Sequence, residues 1–434
     1  MNPRKIIKKF IPRNLFWRVE PYGHLLEAVF FNIINGFPAR GIKVIGVTGT
    51  NGKTTTSFMI QKMLTEAGIK SGLMSTVGYG IGDDIKPQIH HMTNVSVPEL
   101  MKRLKWMKSQ NIEWLVLETT SHALAQNRVW GVPYSIAVLT NLTHEHLDYH
   151  RTFERYRDAK RKLFKIANKN KAGLRLGIIN AEDPSQEYFA SDIKNTVLYG
   201  VKKGDLKAVG VKLNPSGSSY KANIEDDSYD IKCHIPGSFN VFNSLAVVAV
   251  GRAVGLSRKQ IEQGIAALKE VEGRMTIIDE GQNFDVIVDF AHTPDSFEKL
   301  FKDLKPVVKG KLIVMFGSAG RRDEAKRAVQ GNLAGKYADT VVITEEDDRD
   351  IDGNEIMNQI AEGAKKAGKK LDKDLFMILD RTAAINFAIQ KAQPGDTVLL
   401  LGKGHEKTIE RADGEHPWDE ITTTKKALTK NLSN

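Results

Sequence analysis

Apolar positions in the first half of the chain follow two periods, and each period predicts a different secondary structure. Uninterrupted apolar runs at 114–117 and 135–139 are typical of buried strands, whereas apolar residues at helical spacing at 57–67 and 98–110 predict helices. Polar residues cluster directly after both strands. Strands that alternate with helices form parallel sheets, and ligands collect at the carboxyl ends of such strands. The pattern therefore predicts an α/β fold with a ligand site at one edge of the sheet.

An earlier apolar run ends at Val47 in a glycine-rich turn, and the turn opens a helix. The turn and the start of the helix contain Gly49, Thr50, Asn51, Gly52, Lys53, Thr54 and Thr55. Glycines let successive backbone N–H groups point at one anion, a lysine reaches the terminal phosphates of a nucleotide, and a threonine hydroxyl suits the accompanying Mg²⁺. The spacing departs from a strict P-loop because the first glycine, Gly46, comes one residue early. A plain strand-to-helix turn is the alternative, but the Lys-Thr pair favours a nucleotide.

The pattern changes beyond residue 195. Short alternating runs at 196–235 predict a small antiparallel insertion or an extension of the first sheet. A second α/β series begins near Met275, with strands predicted at 286–289, 311–316, 340–344 and 397–401. We place a domain boundary after residue 273. The predicted units are a leader at 1–40, a P-loop-type parallel-sheet ATPase domain at 41–273 and a smaller Rossmann-like α/β domain at 274–434.

Composition limits the class of protein. At 434 residues the chain is too long for one ordinary core, so two or three domains are expected. Its one cysteine, Cys233, excludes an internal disulfide and a zinc site built from several thiolates, which fits a reducing compartment such as the cytoplasm. The net charge of +11 is accompanied by no recognisable nucleic-acid-binding module, so a nucleic-acid partner is not expected.

Part of the positive charge lies in the leader, residues 1–40. The first twenty residues contain one acid, Glu20, against Arg4, Lys5, Lys8, Lys9, Arg13 and Arg18. An apolar stripe at helical spacing follows, formed by Leu25, Leu26, Val29, Phe30, Ile33 and Ile34. The stripe is shorter than the roughly 20 residues that cross a bilayer. It predicts either peripheral contact with a membrane or a helix that packs on its own domain.

The polar cluster after the strand at 114–117 begins with Glu118, beside the predicted phosphate loop. A carboxylate at this edge is a natural ligand for a nucleotide's Mg²⁺, and a helix N-terminal acid is the alternative. His144 and His146 raise zinc as a second option. Their spacing matches no zinc motif, so Mg²⁺ is the favoured ion.

Three segments resemble the Mur ligases, which are ATP-dependent enzymes that add amino acids to peptidoglycan precursors, and the MurE type most closely. The segments are GVTGTNGKTTT at 46–56, ETTSHAL at 118–124 and TNLTHEHLDYH at 140–150. The resemblance extends over almost everything after residue 41. It implies an ATP-dependent carboxylate–amine ligase that forms an amide through an acyl phosphate, in a cytoplasmic monomer. A folate-type or cyanophycin-like ligase and a non-catalytic nucleotide-binding subunit are the alternatives.

The resemblance also implies roles for particular residues. It assigns catalysis to Lys53, Lys160, His146 and Arg274, with Lys160 carbamylated. It assigns one Mg²⁺ to Thr54 and Glu118 and a second to His146 and Lys160. Beyond the phosphate loop, the nucleotide-binding residues are Asn240, Asn243, Arg274, Asp289 and His292. The residues implied for the acceptor and the amino acid are Thr93, Thr120, Ser121, His122, Gln126, Arg128, Arg327, Asp347, Arg349, Gly402 and Glu406.

Two departures from the family bear on the substrates. MurE enzymes that add diaminopimelate carry Asp-Asn-Pro-Arg where this chain has EDDR at 346–349, so Arg349 persists among extra acids that would also suit lysine. We expect the leader to stand in place of the family's amino-terminal domain, which holds a UDP-sugar. We therefore expect the usual uridine site to be absent. Either a lipid-linked acceptor met at the inner face of the membrane or an unchanged peptide reaction without that domain would account for the difference.

Overall fold

The computed structural model describes residues 13–88, 93–214 and 216–432. The first part of the chain contains α1 (Arg13–Ile34), β1 (Lys43–Thr48), α2 (Lys53–Glu66), β2 (Ser71–Met74), β3 (Gly78–Ile81), β4 (Asp84–Pro87), α3 (Val97–Ser109), β5 (Trp114–Glu118), α4 (Ser121–Ala125), β6 (Tyr134–Leu139), α5 (Leu147–His150), α6 (Phe153–Lys169), β7 (Leu176–Asn180), α7 (Gln186–Ala190), β8 (Asn195–Gly200), β9 (Leu206–Asn214), β10 (Gly217–Ile224), β11 (Asp227–Cys233), α8 (Phe239–Val254) and α9 (Arg258–Ala267). The second part contains β12 (Thr276–Ile277), β13 (Asp285–Asp289), α10 (Pro294–Leu304), β14 (Leu312–Phe316), α11 (Ala325–Tyr337), β15 (Thr340–Ile343), α12 (Gly353–Lys366), β16 (Leu375–Met377), α13 (Arg381–Lys391), β17 (Thr397–Leu401), β18 (Thr408–Arg411), β19 (Gly414–Pro417) and α14 (Glu420–Leu432).

The larger sheet has eleven strands within the described ranges, in the order β11-β10-β9-β8-β7-β6-β1-β5-β2-β3-β4. Strand β1 lies between β5 and β6 and is parallel to both. The region at 196–235 forms strands β8 to β11, of which β10 is antiparallel to both β9 and β11. This region is therefore both antiparallel and an extension of the first sheet, because β8 joins it to β7 in parallel register.

Helices cover both faces of the large sheet. Ile45 and Val47 point into one apolar cluster and Val44 into another, because successive side chains of a strand point to opposite faces. Leu115 and Val116 of the neighbouring strand divide in the same way. Burial on both faces explains why these strands appear in the sequence as continuous apolar runs.

The second sheet has six strands in the part of the chain that the structure describes, in the order β12-β13-β17-β14-β15-β16. All its pairs are parallel except that of β12 with β13. The predicted α/β class, with a parallel-rich sheet followed by a smaller second sheet, is thus confirmed. The boundary after residue 273 stays a prediction.

Helix α1 precedes the large sheet. It carries the apolar stripe that the sequence predicts, and its Ala28 is fully buried against the core. Arg4, Lys5, Lys8 and Lys9 of the predicted leader lie outside the described residues. Among the described helices, none is both long and apolar enough to cross a membrane.

Candidate active site

The glycine-rich turn after β1 forms a loop whose backbone requires glycine. Gly49 and Gly52 have φ angles of 150° and 82°, a region that side chains rarely adopt. A Cβ atom on Gly52 would clash with Oδ1 of Asn243, and one on Gly49 would clash with the Thr140 hydroxyl. The loop is therefore closely packed between the ends of neighbouring elements, which fixes the direction of its N–H groups.

Asparagine and tyrosine side chains hold the loop in place. The Thr50 and Asn51 N–H groups donate to the backbone and side-chain oxygens of Asn141, at 2.7 and 3.0 Å. The Thr50 hydroxyl lies 3.0 Å from the Tyr156 hydroxyl. Lys53 donates from Nζ to the Thr50 carbonyl at 2.8 Å. Burial lowers the pKa of Lys53, although the nearby carboxylates of Glu118 and Glu145 act to raise it.

Thr54, in the first turn of α2, faces Glu118 at the end of β5. The Thr54 hydroxyl lies 3.2 and 3.1 Å from the two carboxylate oxygens, and Thr55 beside it is buried. The backbone N–H and hydroxyl of Thr76 also donate to Glu118, at 2.9 and 3.0 Å. Parallel register of β1 and β5 produces this meeting, because it aligns the carboxyl ends of the two strands.

Arg274 reaches the same place from the start of the second sheet's segment. Its guanidinium donates to the Thr54 hydroxyl at 3.3 Å and lies 4.5 Å from the centre of the Phe290 ring. Its Nη1 is 3.5 Å from Nδ1 of His405. Burial lowers the pKa of Arg274, and burial also lowers the pKa of His405, to about 3, so the histidine is neutral beside the guanidinium. Residues from both sheets therefore converge on the phosphate loop.

Lys160 lies on α6 with only 2% of its surface exposed. Its Nζ donates to the Gly49 carbonyl at 2.6 Å and lies 4.7 Å from the centre of the Tyr156 ring. Burial, reinforced by the positive charge of Lys53, holds the pKa of Lys160 well below its usual range. The side chain is thus a buried amine that favours its neutral form.

Three histidine rings form a group next to this lysine. The His122 ring centre lies 4.7 Å from that of His146 and 5.4 Å from that of His150. Burial holds the pKa of His146 well below its ordinary value and lowers that of His122 to about 4. A neutral imidazole is the form that can bind a metal ion. His146 also has a φ angle of 56°, which is uncommon for a residue other than glycine.

Two of the residues implied for the acceptor, Thr120 and Arg128, contact Asn94. Its Oδ1 accepts from the Thr120 N–H and hydroxyl at 2.9 and 2.8 Å, and its Nδ2 donates to the Glu118 carbonyl at 2.7 Å. Arg128 donates to the Asn94 carbonyl. Three further contacts belong to the same group: Thr93 with Thr76 at 2.8 Å, Ser121 with His150 at 3.0 Å, and Gln126 with Tyr149.

The remaining nucleotide-side residues have mainly local contacts. Asn243 donates to Asn240 at 2.8 Å, and both side chains are buried next to Gly52. Asp289 accepts from the Met275 and Ala291 N–H groups at 2.8 Å each, which ties β13 to the segment after Arg274. Burial raises the pKa of Asp289.

His292 and Arg327 lie further along this second part of the chain. His292 Nδ1 is 2.8 Å from the Phe290 carbonyl, and its Nε2 is 3.8 Å from the Glu145 carboxylate. Arg327 lies on α11, where it is buried and donates to Gln359 and to the Ala319 carbonyl.

A second polar cluster surrounds the loop after β17. Lys403 donates to Asp347 at 2.8 Å and to Glu406 at 2.6 Å. Arg349 donates to Glu410 at 2.7 Å, and a Cβ atom on Gly402 would lie 2.7 Å from Glu346. Since His405 in the same loop lies beside Arg274, this cluster continues directly into the phosphate loop.

Buried acids dominate that cluster. Glu345, Glu346, Asp347 and Asp348 are all less than 9% exposed. Arg411 pairs with Glu345, and Lys403 pairs with Asp347. Among the described residues, Glu346 and Asp348 form no ion pair. Desolvation, with added repulsion from the neighbouring acids, raises the pKa of Asp348 to about 6.

Sequence reasoning missed several side chains that position the site. Thr76 and Asn94 lie in loops without a recognisable pattern, so nothing in the sequence separates them from other polar loop residues. Asn141 and Glu145 lie inside the segment 140–150 and His405 inside 402–406, where the motifs gave a signal. The charge of Glu145 counters the burial that lowers the pKa of Lys53 and of Lys160.

The donor groups fit Mg²⁺ better than zinc. No group of three or more His, Cys, Asp or Glu able to hold a metal occurs within the described ranges. Mg²⁺ is commonly bound by one or two carboxylates together with substrate phosphates, and Glu118 with Thr54 supplies such a partial set beside the phosphate loop. The His144 ring contacts Phe153 instead, with the ring centres 4.9 Å apart.

Comparison with known proteins gives concordant results over both parts of the chain. The profile of the Mur ligase middle domain matches residues 47–251, and that of the Mur ligase glutamate ligase domain matches residues 273–404. The chain is 39% identical over 415 residues to the UDP-N-acetylmuramyl-tripeptide synthetase of Roseiflexus sp. strain RS-1, covering 93% of this chain and 81% of that protein. It is 38% identical over 392 residues to the UDP-N-acetylmuramoyl-L-alanyl-D-glutamate--2,6-diaminopimelate ligase of Geobacillus thermodenitrificans strain NG80-2, covering 89% and 79%.

A solved structure agrees with the sequence matches. A UDP-N-acetylmuramoyl-L-alanyl-D-glutamate--2,6-diaminopimelate ligase superposes with a TM-score of 0.63 at 27% identity, covering 95% of this chain and 83% of that one. The predicted resemblance to the MurE type is thereby confirmed. The chain belongs to the Mur ligase family, whose members are ATP-dependent ligases that form amide bonds between amino acids and peptidoglycan-precursor peptides.

Proposed function

We propose that this protein joins a cationic amino acid to a carboxylate at the end of a peptidoglycan-precursor peptide. The observation that carries the proposal is the convergence of the phosphate loop, Arg274 and the loop at 402–406 on one site. Relatives named tripeptide synthetase and diaminopimelate ligase support addition of the peptide's third residue. Lys53 contacts the phosphate loop, and Glu118 and Arg274 both contact Thr54. This arrangement of the implied catalytic side chains argues against a non-catalytic subunit.

The reaction divides into two steps. In the first, an oxygen of the acceptor carboxylate forms a bond to the γ-phosphorus of ATP while the bond to the bridging oxygen breaks, so that ADP leaves and an acyl phosphate remains. In the second, the neutral amine attacks the acyl carbon, the C–O bond to phosphate breaks, and the amine's proton leaves with phosphate or water. Lys53 and Arg274 stabilise the charge on the transferring group in the first step.

The side chains around the loop are suited to two Mg²⁺ ions. We propose that Thr54 and Glu118 hold one, and that His146 and Lys160 hold the other. Bound Mg²⁺ would neutralise charge on the phosphates and on the acceptor carboxylate. Burial lowers the pKa of the His146 imidazole and of the Lys160 amine and so favours their neutral forms. The neutral form is the one that binds a metal ion or is modified.

Lys160 fits the carbamylation that the family resemblance implies. A neutral amine attacks carbon dioxide, forms an N–C bond and releases a proton, which leaves a carbamate anion. Burial lowers the pKa of Lys160 and so shifts the amine toward its neutral form, and the neighbouring Lys53 charge disfavours a second cation but favours an anion. The product supplies oxygen ligands, which Mg²⁺ prefers over nitrogen.

Amino-acid choice is assigned to the acids near the loop at 402–406. Glu346 and Asp348 are buried carboxylates without an ion pair in the described part of the chain, and Glu346 lies against Gly402. An incoming ammonium group would supply the missing opposite charge. Arg349 and Lys403 are already paired with carboxylates. The site therefore fits a diamine such as lysine better than an acidic amino acid.

Phosphate release tests the proposal directly. Purified protein with Mg²⁺ and ATP is supplied with a UDP-linked muropeptide, a lipid-linked muropeptide or a folate substrate, each combined with lysine, diaminopimelate or glutamate, and product masses are determined. Release that requires one acceptor and one cationic amino acid, with an amide of the corresponding mass, is the expected result. Release only with a folate substrate and glutamate would contradict the proposal, and so would ATP binding without release for any pair.

A further inference from the structure

The outward face of α1 is apolar throughout its described side chains. Over residues 19–34 the exposed side chains are Val19, Tyr22, Leu26, Phe30, Ile33 and Ile34, each 50% to 71% exposed. Gly23 is the other exposed position in this range. These sixteen residues of helix span about 24 Å, so the exposed side chains form a continuous ridge, here called the α1 ridge. A ridge of this kind marks an interaction surface.

His24, Glu27 and Asn32 of the same helix lie on its inner side. Asn32 is fully buried and donates to the carbonyls of Ala28 and Trp130 at 2.8 and 3.1 Å. His24 and Glu27 contact each other at 3.3 Å and are each 16% exposed. A surface helix of a globular domain normally has the reverse arrangement, with its apolar stripe inward. Ordinary packing on the domain therefore does not explain the α1 ridge.

We propose that the α1 ridge docks on the surface of an anionic lipid bilayer. The chain preceding the ridge supplies the complementary charge, since it carries Arg4, Lys5, Lys8, Lys9, Arg13 and Arg18 against the single acid Glu20. Basic residues next to an apolar helical face are the composition of helices that lie in the headgroup region. Tyr22 and Phe30 give the ridge exposed aromatic rings, and Trp130, which is 37% exposed, lies beside the helix. The occupant is thus a lipid surface, with a second copy of the chain or another protein as the competing outcomes.

The position of α1 also connects the ridge to the acceptor side of the site. Asn127 donates to the carbonyl of Pro21 in α1 at 3.2 Å. In the sequence Asn127 lies between Gln126 and Arg128, which are two of the residues implied for the acceptor. A docked helix would therefore hold that loop near the membrane. This connection rests on the proposed function, whereas the docking itself does not, because lipid binding is measured without ATP or acceptor.

Vesicle sedimentation tests the docking. Full-length protein is mixed with vesicles of phosphatidylcholine alone or of equimolar phosphatidylcholine and phosphatidylglycerol, at low and high salt. We expect binding to the anionic vesicles at least about tenfold tighter than to the neutral ones, and weaker binding at high salt. The double variant L26E/F30E should bind the anionic vesicles at least about tenfold more weakly than the wild type, because it places two charges in the apolar interface.

Matched variants separate docking from loss of fold. V209E/L213E changes two side chains on β9 that are each 51% exposed, adds the same charge, and should bind vesicles as the wild type does. L26S/F30S removes the apolar groups without adding charge and should also bind less. Thermal unfolding of all three should match the wild type, since the replaced side chains are exposed.

Three outcomes would overturn the docking proposal. One is equal sedimentation of the wild type with and without anionic vesicles. Another is vesicle binding that L26E/F30E and L26S/F30S leave unchanged. The third is a dimer in analytical ultracentrifugation that L26E/F30E converts to monomer, which would assign the α1 ridge to a second copy. Because none of these uses turnover, they remain distinct from a failure of the ligase proposal.

Discussion

Replacing Lys160 by methionine should separate activity from stability. Methionine has nearly the length of lysine but cannot accept carbon dioxide or bind Mg²⁺. The site would lose the oxygen ligands that the carbamate is proposed to give the second Mg²⁺. Removing one group that stabilises the charge of the transition state costs on the order of 10² to 10³ in kcat, or about 3 to 4 kcal/mol in the barrier. We therefore expect kcat for phosphate release to fall by about 10³ for Lys160→Met.

The effect on stability should be small or of the opposite sign. The variant loses the hydrogen bond from Nζ to the Gly49 carbonyl, which is worth about 1 kcal/mol. It also removes a buried amine whose pKa is held well below its usual range by burial. A lysine pKa that is lower in the folded than in the unfolded state reduces the free energy of unfolding, so removing this amine should stabilise the fold. Since the two changes oppose each other, thermal unfolding should stay within a few degrees of the wild type.

Three measurements check this prediction. They are kcat for phosphate release, the unfolding temperature, and the ¹³C spectrum of protein equilibrated with ¹³C-bicarbonate, in which a carbamate signal should be present for the wild type and absent for the variant. Small carboxylates such as acetate should partly restore Lys160→Ala, which leaves space, but not Lys160→Met, which fills it. Lys162→Met, on the same helix but exposed, is the control and should keep full activity.

The reasoning would be refuted by either of two results. Undiminished turnover of Lys160→Ala would show that no ligand is needed at this position. A fall in kcat that is matched by a large loss of unfolding temperature would show that Lys160 acts by holding the fold. Absence of a carbamate signal in an active wild type would remove the carbamylation while leaving a role for the amine itself.

The other predictions concern the charges on either side of this lysine. Glu118→Gln should raise the Mg²⁺ concentration needed for half-maximal activity at least about tenfold, because Mg²⁺ prefers an anionic oxygen ligand; an unchanged Mg²⁺ titration would contradict the assignment. Arg274→Ala should lower kcat by about 10² with a smaller change in KM for ATP. The control is Arg258→Ala, far from the site; if it lowers kcat equally, the loss comes from removing any arginine and not from the position of Arg274. Asp348→Asn should flatten the pH dependence of KM for the amino acid: the wild-type carboxylate ionises near pH 6, so binding of a cation should strengthen as pH rises through that value. The same raised pKa means that the folded state holds the proton more tightly than the unfolded one, so stability falls as pH rises from about 4 to about 6, and Asp348→Asn should unfold at a higher temperature at neutral pH.

The sequence by itself determined the α/β class, most strand positions and the phosphate loop. These features are readable because each depends on neighbouring residues: strands buried on both faces are apolar at every position, as Val44 and Ile45 show, and the loop needs glycine where φ is positive, as at Gly52. The strand predicted at 397–401 coincides with β17, Thr397–Leu401. The motifs that resemble the family also lie in short stretches of sequence, and from them the sequence predicted roles for Glu118 and Lys160.

Only the tertiary structure decided which side chains meet. Arg274 and Thr54 are 220 positions apart, and their contact depends on how the two sheets sit against each other, which no local pattern encodes. Asn94 organises the acceptor side from a loop that has no periodicity to read. For α1 the sequence showed an apolar stripe but left its direction open, because periodicity gives the spacing of a face and not its partner. The structure turned Leu26 and Phe30 outward and Asn32 inward, where its amide donates to the carbonyls of Ala28 in the same helix and of Trp130 on the domain. The second contact joins residues 98 positions apart, which the local spacing of apolar residues does not encode.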